Sequence, residues 1–209
     1  MNIKRFPLGA LWTNCYIIWD ENKDGFIVDP GGSADEVRDF VALNGIKVHL
    51  ILLTHGHTDH IGGVCDVRDL AKCGVAVHVE DADCLTNADR NLSSIFDVPF
   101  TIKEAEKLLS DGDVLEIGTL KLKVIHTPGH TPGGICVVVS DADESVLISG
   151  DTLFARSVGR SDLPGGDEDT LYDSLKRLVG LPKDMRVLPG HGAETTIGTE
   201  ERFNPYWPR

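Results

Sequence analysis

Apolar and polar positions divide the chain into two successive series of short strands, each ending in polar clusters. Residues from Thr13 to Trp19, including Tyr16, Ile17 and Ile18, predict a strand, and Asp20 to Gly25 predict a turn. Phe26-Ile27-Val28-Asp29 is the return strand, stopped by Pro30-Gly31-Gly32, so the opening reads as an antiparallel pair. Ser33-Ala34-Asp35-Glu36 has the form of a capping box, predicting a helix that runs to Asn44-Gly45. Val48 to Leu53 carries no charge and reads as a strand buried on both faces. Helical spacing then recurs over Val64 to Lys72, followed by a strand at Val75 to Val79 and a short helix over Glu80 to Asn87. Residues 88 to 110 are polar and weakly patterned, and are expected to wrap the mouth of a site.

Asp111-Gly112-Asp113 opens the second series. Strands are predicted at Val114 to Ile117, Leu120 to Ile125, Ile135 to Val139, Ser145 to Ser149 and Met185 to Leu188. A helix is predicted over Asp167 to Val179, with Leu171, Leu175, Leu178 and Val179 on one face. No linker, low-complexity segment or charge run separates the series, so residues 1–209 are expected to form one domain with an internal structural duplication at most.

Composition adds little to this picture and charge adds more. The 209 residues are 41% hydrophobic and 25% charged, as in an ordinary soluble globular protein. The net charge of −13, with Lys and Arg scattered, excludes nucleic acid as the main partner, because phosphate contacts need basic clusters. No apolar run approaches the roughly 20 residues of a membrane span, and Met1 to Leu8 lack the apolar core of a signal sequence, so a cytoplasmic protein without a membrane partner is expected. Cys15, Cys65, Cys73, Cys84 and Cys136 form no CxxC pair and read as reduced thiols in a reducing compartment.

The chemistry lies at the strand ends. Directly after the buried strand stands Thr54-His55-Gly56-His57-Thr58-Asp59-His60, three histidines and an aspartate within six residues. These residue types ligate divalent metals, and crowding them where the chain leaves the core costs folding energy unless something binds them. Three later spots repeat the arrangement: His130 in Thr127-Pro128-Gly129-His130, Asp151 after the strand ending at Ser149, and His191 in Pro189-Gly190-His191-Gly192. Five histidines and two aspartates suffice for two metal ions sharing a carboxylate and a water. His78, alternating with apolar residues, reads instead as a core or edge histidine.

In this order, T-H-x-H-x-D-H followed by a lone His, a lone Asp and a final His, the motifs resemble the metallo-β-lactamase fold superfamily over nearly the whole chain. The resemblance implies an α+β architecture, a four-layer αββα sandwich with the site at one edge of the paired sheets. It further implies that His55, His57 and His130 hold one metal, that Asp59, His60 and His191 hold the second, and that Asp151 bridges them. Asp59 and Asp151 are then the catalytic carboxylates. Two divalent ions are implied as cofactors, zinc first, with iron or manganese as alternatives.

Within the superfamily, Leu153 to Asp167 and Glu201-Arg202-Phe203-Asn204-Pro205 are similar to the compact bacterial glyoxalase II proteins, the hydroxyacylglutathione hydrolases. Arg160 lies where the larger enzymes carry a lysine that grips the glutathione carboxylate, which makes it the candidate substrate-binding residue, with Arg156 a second cation nearby; Asp162 replaces their substrate tyrosine. Only residues 192–209 follow His191, so the helical C-terminal domain of those enzymes is not expected. The implied activity is hydrolysis of a small-molecule thioester, S-lactoylglutathione or a related hydroxyacyl thioester, with a glutathione conjugate among the candidate substrates. A water shared by two dications is acidified from 15.7 towards about 7 and attacks the carbonyl as hydroxide. Two dications, two aspartates and a hydroxide leave a site of about +1, which accepts an anionic substrate despite the acidic surface. A Gly-Arg-Ser-Asp segment of this kind also occurs in persulfide dioxygenases, so the alternative is a mononuclear iron enzyme using His55, His130 and Asp151 as a two-His-one-carboxylate triad.

Overall fold

The computed structural model of the chain describes residues 1–96 and 98–209. Two six-stranded sheets divide the chain as the two series of strands do. The first contains β1 (Asn2–Leu8), β2 (Thr13–Trp19), β3 (Asp24–Val28), β4 (Lys47–Leu52), β5 (Val75–His78) and β6 (Lys107–Leu109), in that spatial order. The second contains β7 (Val114–Ile117), β8 (Leu120–His126), β9 (Ile135–Ser140), β10 (Ser145–Gly150), β13 (Arg186–Pro189) and β14 (Thr195–Thr196), ordered β14-β13-β10-β9-β8-β7. A small hairpin, β11 (Leu153–Phe154) with β12 (Ser157–Val158), follows β10.

Period-two alternation assigns each strand residue to a layer. Along β2, Cys15, Ile17 and Trp19 face one core while Tyr16 and Ile18 face another. The first core packs under α1 (Asp35–Asn44), α2 (Thr58–Ile61) and α3 (Val64–Val67), through Val37, Val41, Ile61, Val64 and Val67. The second lies between the sheets, where Phe26, Val28, Leu50 and Leu52 meet Leu122, Val124, Val137 and Ile148. A third covers the far face of the second sheet, joining Leu147 and Val187 to Leu175 of α5 (Glu168–Lys176) and Ile197 of α6 (Ile197–Phe203). Helices, sheet, sheet and helices make the four-layer αββα sandwich. The Val48–Leu53 run supplies both the first and second cores, which accounts for its lack of charge.

Several local expectations are corrected. The first residues form β1, an antiparallel edge partner of β2; Lys4 and Arg5 interrupt its apolar signal, and only Phe6 and Leu8 are buried. The capping box does not form. Ala34 is the N-cap residue, its N–H donates to Asp66 Oδ2 at 3.1 Å, and the Ser33 hydroxyl lies against Asp35. The helix of 64–72 is cut to α3 plus the 3₁₀ turn Arg68–Leu70, and 80–87 is a 3₁₀ turn, Val79–Thr86. Within 88–110, α4 (Ser93–Phe96) and the buried Asn91 side chain organise the chain; Asn91 Nδ2 donates to the Cys84 and Phe100 carbonyls. Asp97 lies outside the described residues.

Candidate metal centre

All seven residues singled out at strand ends come together at one edge of the sandwich. β4 delivers His55 and His57, and the short α2 that begins after His57 carries Asp59 and His60. His130 sits in the β8–β9 loop, Asp151 directly follows β10, and His191 follows β13. Because β10 and β13 are parallel neighbours, with Gly150 opposite Pro189, their ends emerge side by side. A side chain at Gly190 would collide with the Asp151 carboxylate and come within 2.8 Å of His60 Cε1, so this close approach requires glycine.

Two groups match the sequence expectation, His55 with His57 and His130, and Asp59 with His60 and His191, and a third, His55 with His60 and Asp151, overlaps both; the donor atoms of each group lie within 4.8 Å of one another. The His57 Nδ1 and His130 Nε2 atoms are 2.9 Å apart. Asp151 reaches both sets: its oxygens lie 3.4 Å from His60 Nε2, 3.5 Å from His191 Nε2 and 3.6 Å from His130 Nε2. Among the described residues, three buried side-chain polar atoms have no hydrogen-bond partner, namely His55 Nε2, His60 Nε2 and Asp151 Oδ1. Orphaned buried nitrogens and oxygens are costly, and three such atoms gathered here fit a site for cations that they would ligate.

The other nitrogen of His55, His60, His130 and His191 is held by the surrounding chain, which orients these four rings. His130 Nδ1 lies 2.6 Å from the Arg160 carbonyl, His191 Nδ1 3.2 Å from the Leu11 carbonyl, and His60 Nδ1 2.9 Å from Asp29 Oδ2. A carbonyl or carboxylate partner fixes the proton on Nδ1 and turns Nε2 inward, the usual support of a metal-ligating imidazole. Thr13 Oγ1 donates to Asp59 Oδ2 at 2.9 Å. The turn between β1 and β2 is therefore pinned to the site through Leu11 and Thr13, leaving the Leu11 and Trp12 side chains exposed at its rim.

The two sets differ electrically. Burial, reinforced by the neighbouring histidines, pushes the pKa of His55 far below its ordinary value. Burial and His130 take His57 down to about 3. Burial also acts against protonation of His60, yet Asp59, Asp151 and Asp29 outweigh it and lift its pKa well above 6.5. His191 is raised in the same way, against its own burial, chiefly by Asp59 and Asp151. Asp59 and Asp151 are held down by His60 and its neighbours despite being buried.

Asp29 was legible only as the end of a strand. A lone acid before Pro-Gly-Gly is an ordinary turn residue, and only the fold shows it accepting from Thr54 N–H and Thr54 Oγ1 while orienting His60. The Arg160 side chain stands apart from the cluster, although the residue's carbonyl lies against His130. It is exposed, and its guanidinium is latched in two bonds, 2.7 and 2.9 Å, to Asp162. With Tyr172, Tyr206, Trp207 and Arg209 it lines a cleft of about 840 Å³ that none of the seven clustered residues lines. Arg156 donates its N–H to the buried Glu200. His78 is buried and stacks on His126 at 3.9 Å, outside both ligand sets.

Comparison with known proteins gives concordant results. The family model of the metallo-β-lactamase superfamily matches residues 8–191. Hydroxyacylglutathione hydrolase GloC of Haemophilus influenzae is 33% identical, over 99% of this chain and 98% of its own length. Among solved structures, BLEG-1 B3 metallo-β-lactamase superposes with a TM-score of 0.91 at 40% identity, covering 98% of this chain and 99% of that one. TTHA1623 in a di-iron-bound form superposes at 0.84 with 33% identity, covering 97% and 99%.

Proposed function

The chain belongs to the metallo-β-lactamase superfamily, and from that premise we propose that it is a binuclear metal-dependent hydrolase acting on a small-molecule thioester, S-lactoylglutathione or a related hydroxyacyl thioester. The observation that carries the proposal is the convergence of three orphaned buried donor atoms on two adjoining ligand sets, with Asp151 in reach of both. His55, His57 and His130 would hold one divalent ion; Asp59, His60 and His191 would hold the other; Asp151 would serve both. Zinc suits this His/Asp donor set, as do iron and manganese, and TTHA1623 is a relative with two irons. When bound, such a pair acidifies water and polarises a carbonyl.

The chain's own groups supply orientation. Asp29 and the Leu11 and Arg160 carbonyls hold three imidazoles with Nε2 inward, and Thr13 holds Asp59. Geometry prepared before the substrate arrives lowers the reorganisation required during reaction. A thiol leaving group, with a pKa near 8.5, departs as thiolate without a strong acid, and the cluster accordingly needs no proton donor outside its ligands. The exposed Leu11 and Trp12 offer the substrate an apolar rim. Arg160 would bind a carboxylate of the thiol carrier, exchanging its bond to Asp162 for one to the substrate. Thioester over β-lactam is supported by the GloC relationship and by the Leu153–Asp167 segment. We place the protein in the cytoplasm, with no nucleic-acid partner; no helix among the described residues is long and apolar enough to cross a membrane.

The test is metal analysis of protein purified without added metal, followed by assays with S-lactoylglutathione, a simple acyl thioester and a β-lactam. Two metal equivalents and thioester turnover are expected. No thioester hydrolysis by protein carrying two metals would overturn the proposal. Oxygen uptake with glutathione persulfide at one iron per chain would replace it with the dioxygenase.

A further inference from the structure

One buried acid outside the seven clustered residues touches both segments that carry the three-histidine set. Asp81 follows β5 within the 3₁₀ turn Val79–Thr86 and is fully buried. Its Oδ2 accepts from the Gly56 N–H at 2.9 Å and from Thr131 Oγ1 at 2.8 Å, and its Oδ1 accepts from the Gly133 N–H at 2.6 Å. Gly56 stands between His55 and His57, and Thr131 directly follows His130. The loop is laid down on the acid itself: a Cβ at Gly133 would come within 2.5 Å of Asp81 N and 2.6 Å of its carboxylate.

A buried carboxylate is an expensive way to join two loops unless its charge is used, because desolvation penalises the ionised form. Burial accordingly pushes the Asp81 pKa up, against three hydrogen bonds that stabilise the anion. Hydrogen bonds to a charged acceptor are shorter and stronger than neutral ones, so the three donors are held more rigidly than an amide would hold them. All three belong to the segments that present His55, His57 and His130.

We propose that Asp81 is a positioning residue for the three-histidine set, fixing the separation of the His55–His57 segment from His130 so that this set is prepared for metal independently of Asp59, His60 and His191. The inference rests on the reading that these three histidines hold a metal. Its consequence is selectivity. Loss of the Asp81 charge loosens one ligand set and leaves the other in place, whereas a merely structural tie would weaken both together.

The experiment is a cobalt(II) titration of the full-length protein, followed by visible absorption and by retention after dialysis, with circular dichroism confirming the fold. His130→Ala and His191→Ala supply the signatures of losing each set. Asp81→Asn is expected to reproduce the His130→Ala signature, with affinity at that set reduced about 10–100-fold, the usual consequence of losing an outer support. Thr131→Val, which removes one donor and keeps the charge, should give a smaller loss in the same set. Equal loss at both sets in folded protein, or no loss at either, overturns the proposal. If Asp81→Asn does not fold, Thr131→Val decides by the same criterion. A wild-type protein with no cobalt equivalent assignable to the three histidines overturns the metal assignment itself, and this inference with it; a wild-type equivalent untouched by either variant overturns the role of Asp81 alone.

Discussion

Two candidate ligand sets lie side by side in this site, both rich in histidine and differently supported. His55, His57 and His130 are presented by loops and held by a backbone carbonyl, a threonine hydroxyl 3.1 Å from His55 Nδ1, and the buried Asp81 behind the chain. Asp151 lies 3.6 Å from His130 Nε2, but among the described residues no carboxylate is hydrogen-bonded to these three rings, and burial favours the neutral forms of His55 and His57. His60 and His191 instead stand among Asp29, Asp59 and Asp151, which favour their protonated forms. Neutral imidazole is the ligating form. His55 and His57 would thus meet a cation without releasing a proton, while the second set offers more negative charge and would exchange protons for metal. Histidine does not have one behaviour here: burial and neighbouring histidines prevail at His55 and His57, and nearby carboxylates outweigh burial at His60 and His191.

The comparison breaks most sharply at Asp151, which reaches both sets. Asp151→Ala is expected to weaken both metal equivalents and to lower thioester kcat/KM on the order of 10³-fold or more, since it removes a ligand and a preorganised charge at once. His130→Ala and His191→Ala should each cost one equivalent only. Metal content after dialysis, measured beside activity, checks this. If either single histidine variant loses both equivalents, the sets are not separate and the contrast between them fails.

Much of this candidate site was legible before the fold because its clustered residues follow apolar strands. His55, Asp151 and His191 each leave a strand whose residues could only be core, and His130 sits in a loop that Pro128 and Gly129 mark. The same signal stood at Asp29, after β3, and was not separable from an ordinary Asp-Pro-Gly turn. Asp81 lay hidden in Glu80-Asp81-Ala82-Asp83, at the start of a stretch whose pattern predicts only a short helix. Only the packing of the 127–134 loop onto that stretch buries Asp81. Charge also masked β1, whose Lys4 and Arg5 are exposed on an edge strand that buries two side chains near its end. What periodicity cannot show is which polar residue meets a donor from a distant segment. Those are the residues that hold the ligands in place.

A narrower cut tests the second set alone. In Asp29→Asn the amide can still accept from Thr54 N–H, but its Nδ2 would face His60 Nδ1 where Asp29 Oδ2 stood at 2.9 Å. His60 is then driven towards the tautomer with its proton on Nε2, the atom that points into the site. Affinity at the Asp59, His60, His191 set is expected to fall about 10–100-fold. The three-histidine set should change less, because Asp29 reaches it only indirectly, through the Thr54 hydroxyl that lies 3.1 Å from His55 Nδ1. Cobalt titration resolves the two, and a larger loss at the three-histidine set would assign Asp29 to the wrong partner.

The gentlest probe is pH, which needs no substitution to act on one set and spare the other. His60 and His191 have pKa values raised above 6.5, so as pH falls from 8 towards 6 protons occupy them and compete with metal. Each unit below the pKa of a protonated ligand costs about tenfold in affinity per competing proton. His57 titrates at about 3 and His55 well below 6.5, so neither takes up a proton in that window. Zinc affinity should therefore decline more steeply between pH 8 and 6 in His130→Ala, which retains the carboxylate-rich set with His60 and His191, than in His191→Ala, which retains His55 and His57. Chelator competition at fixed ionic strength gives both curves. Parallel slopes, or an earlier loss at the three histidines, would show that shared burial rather than local carboxylates governs the protonation of these rings.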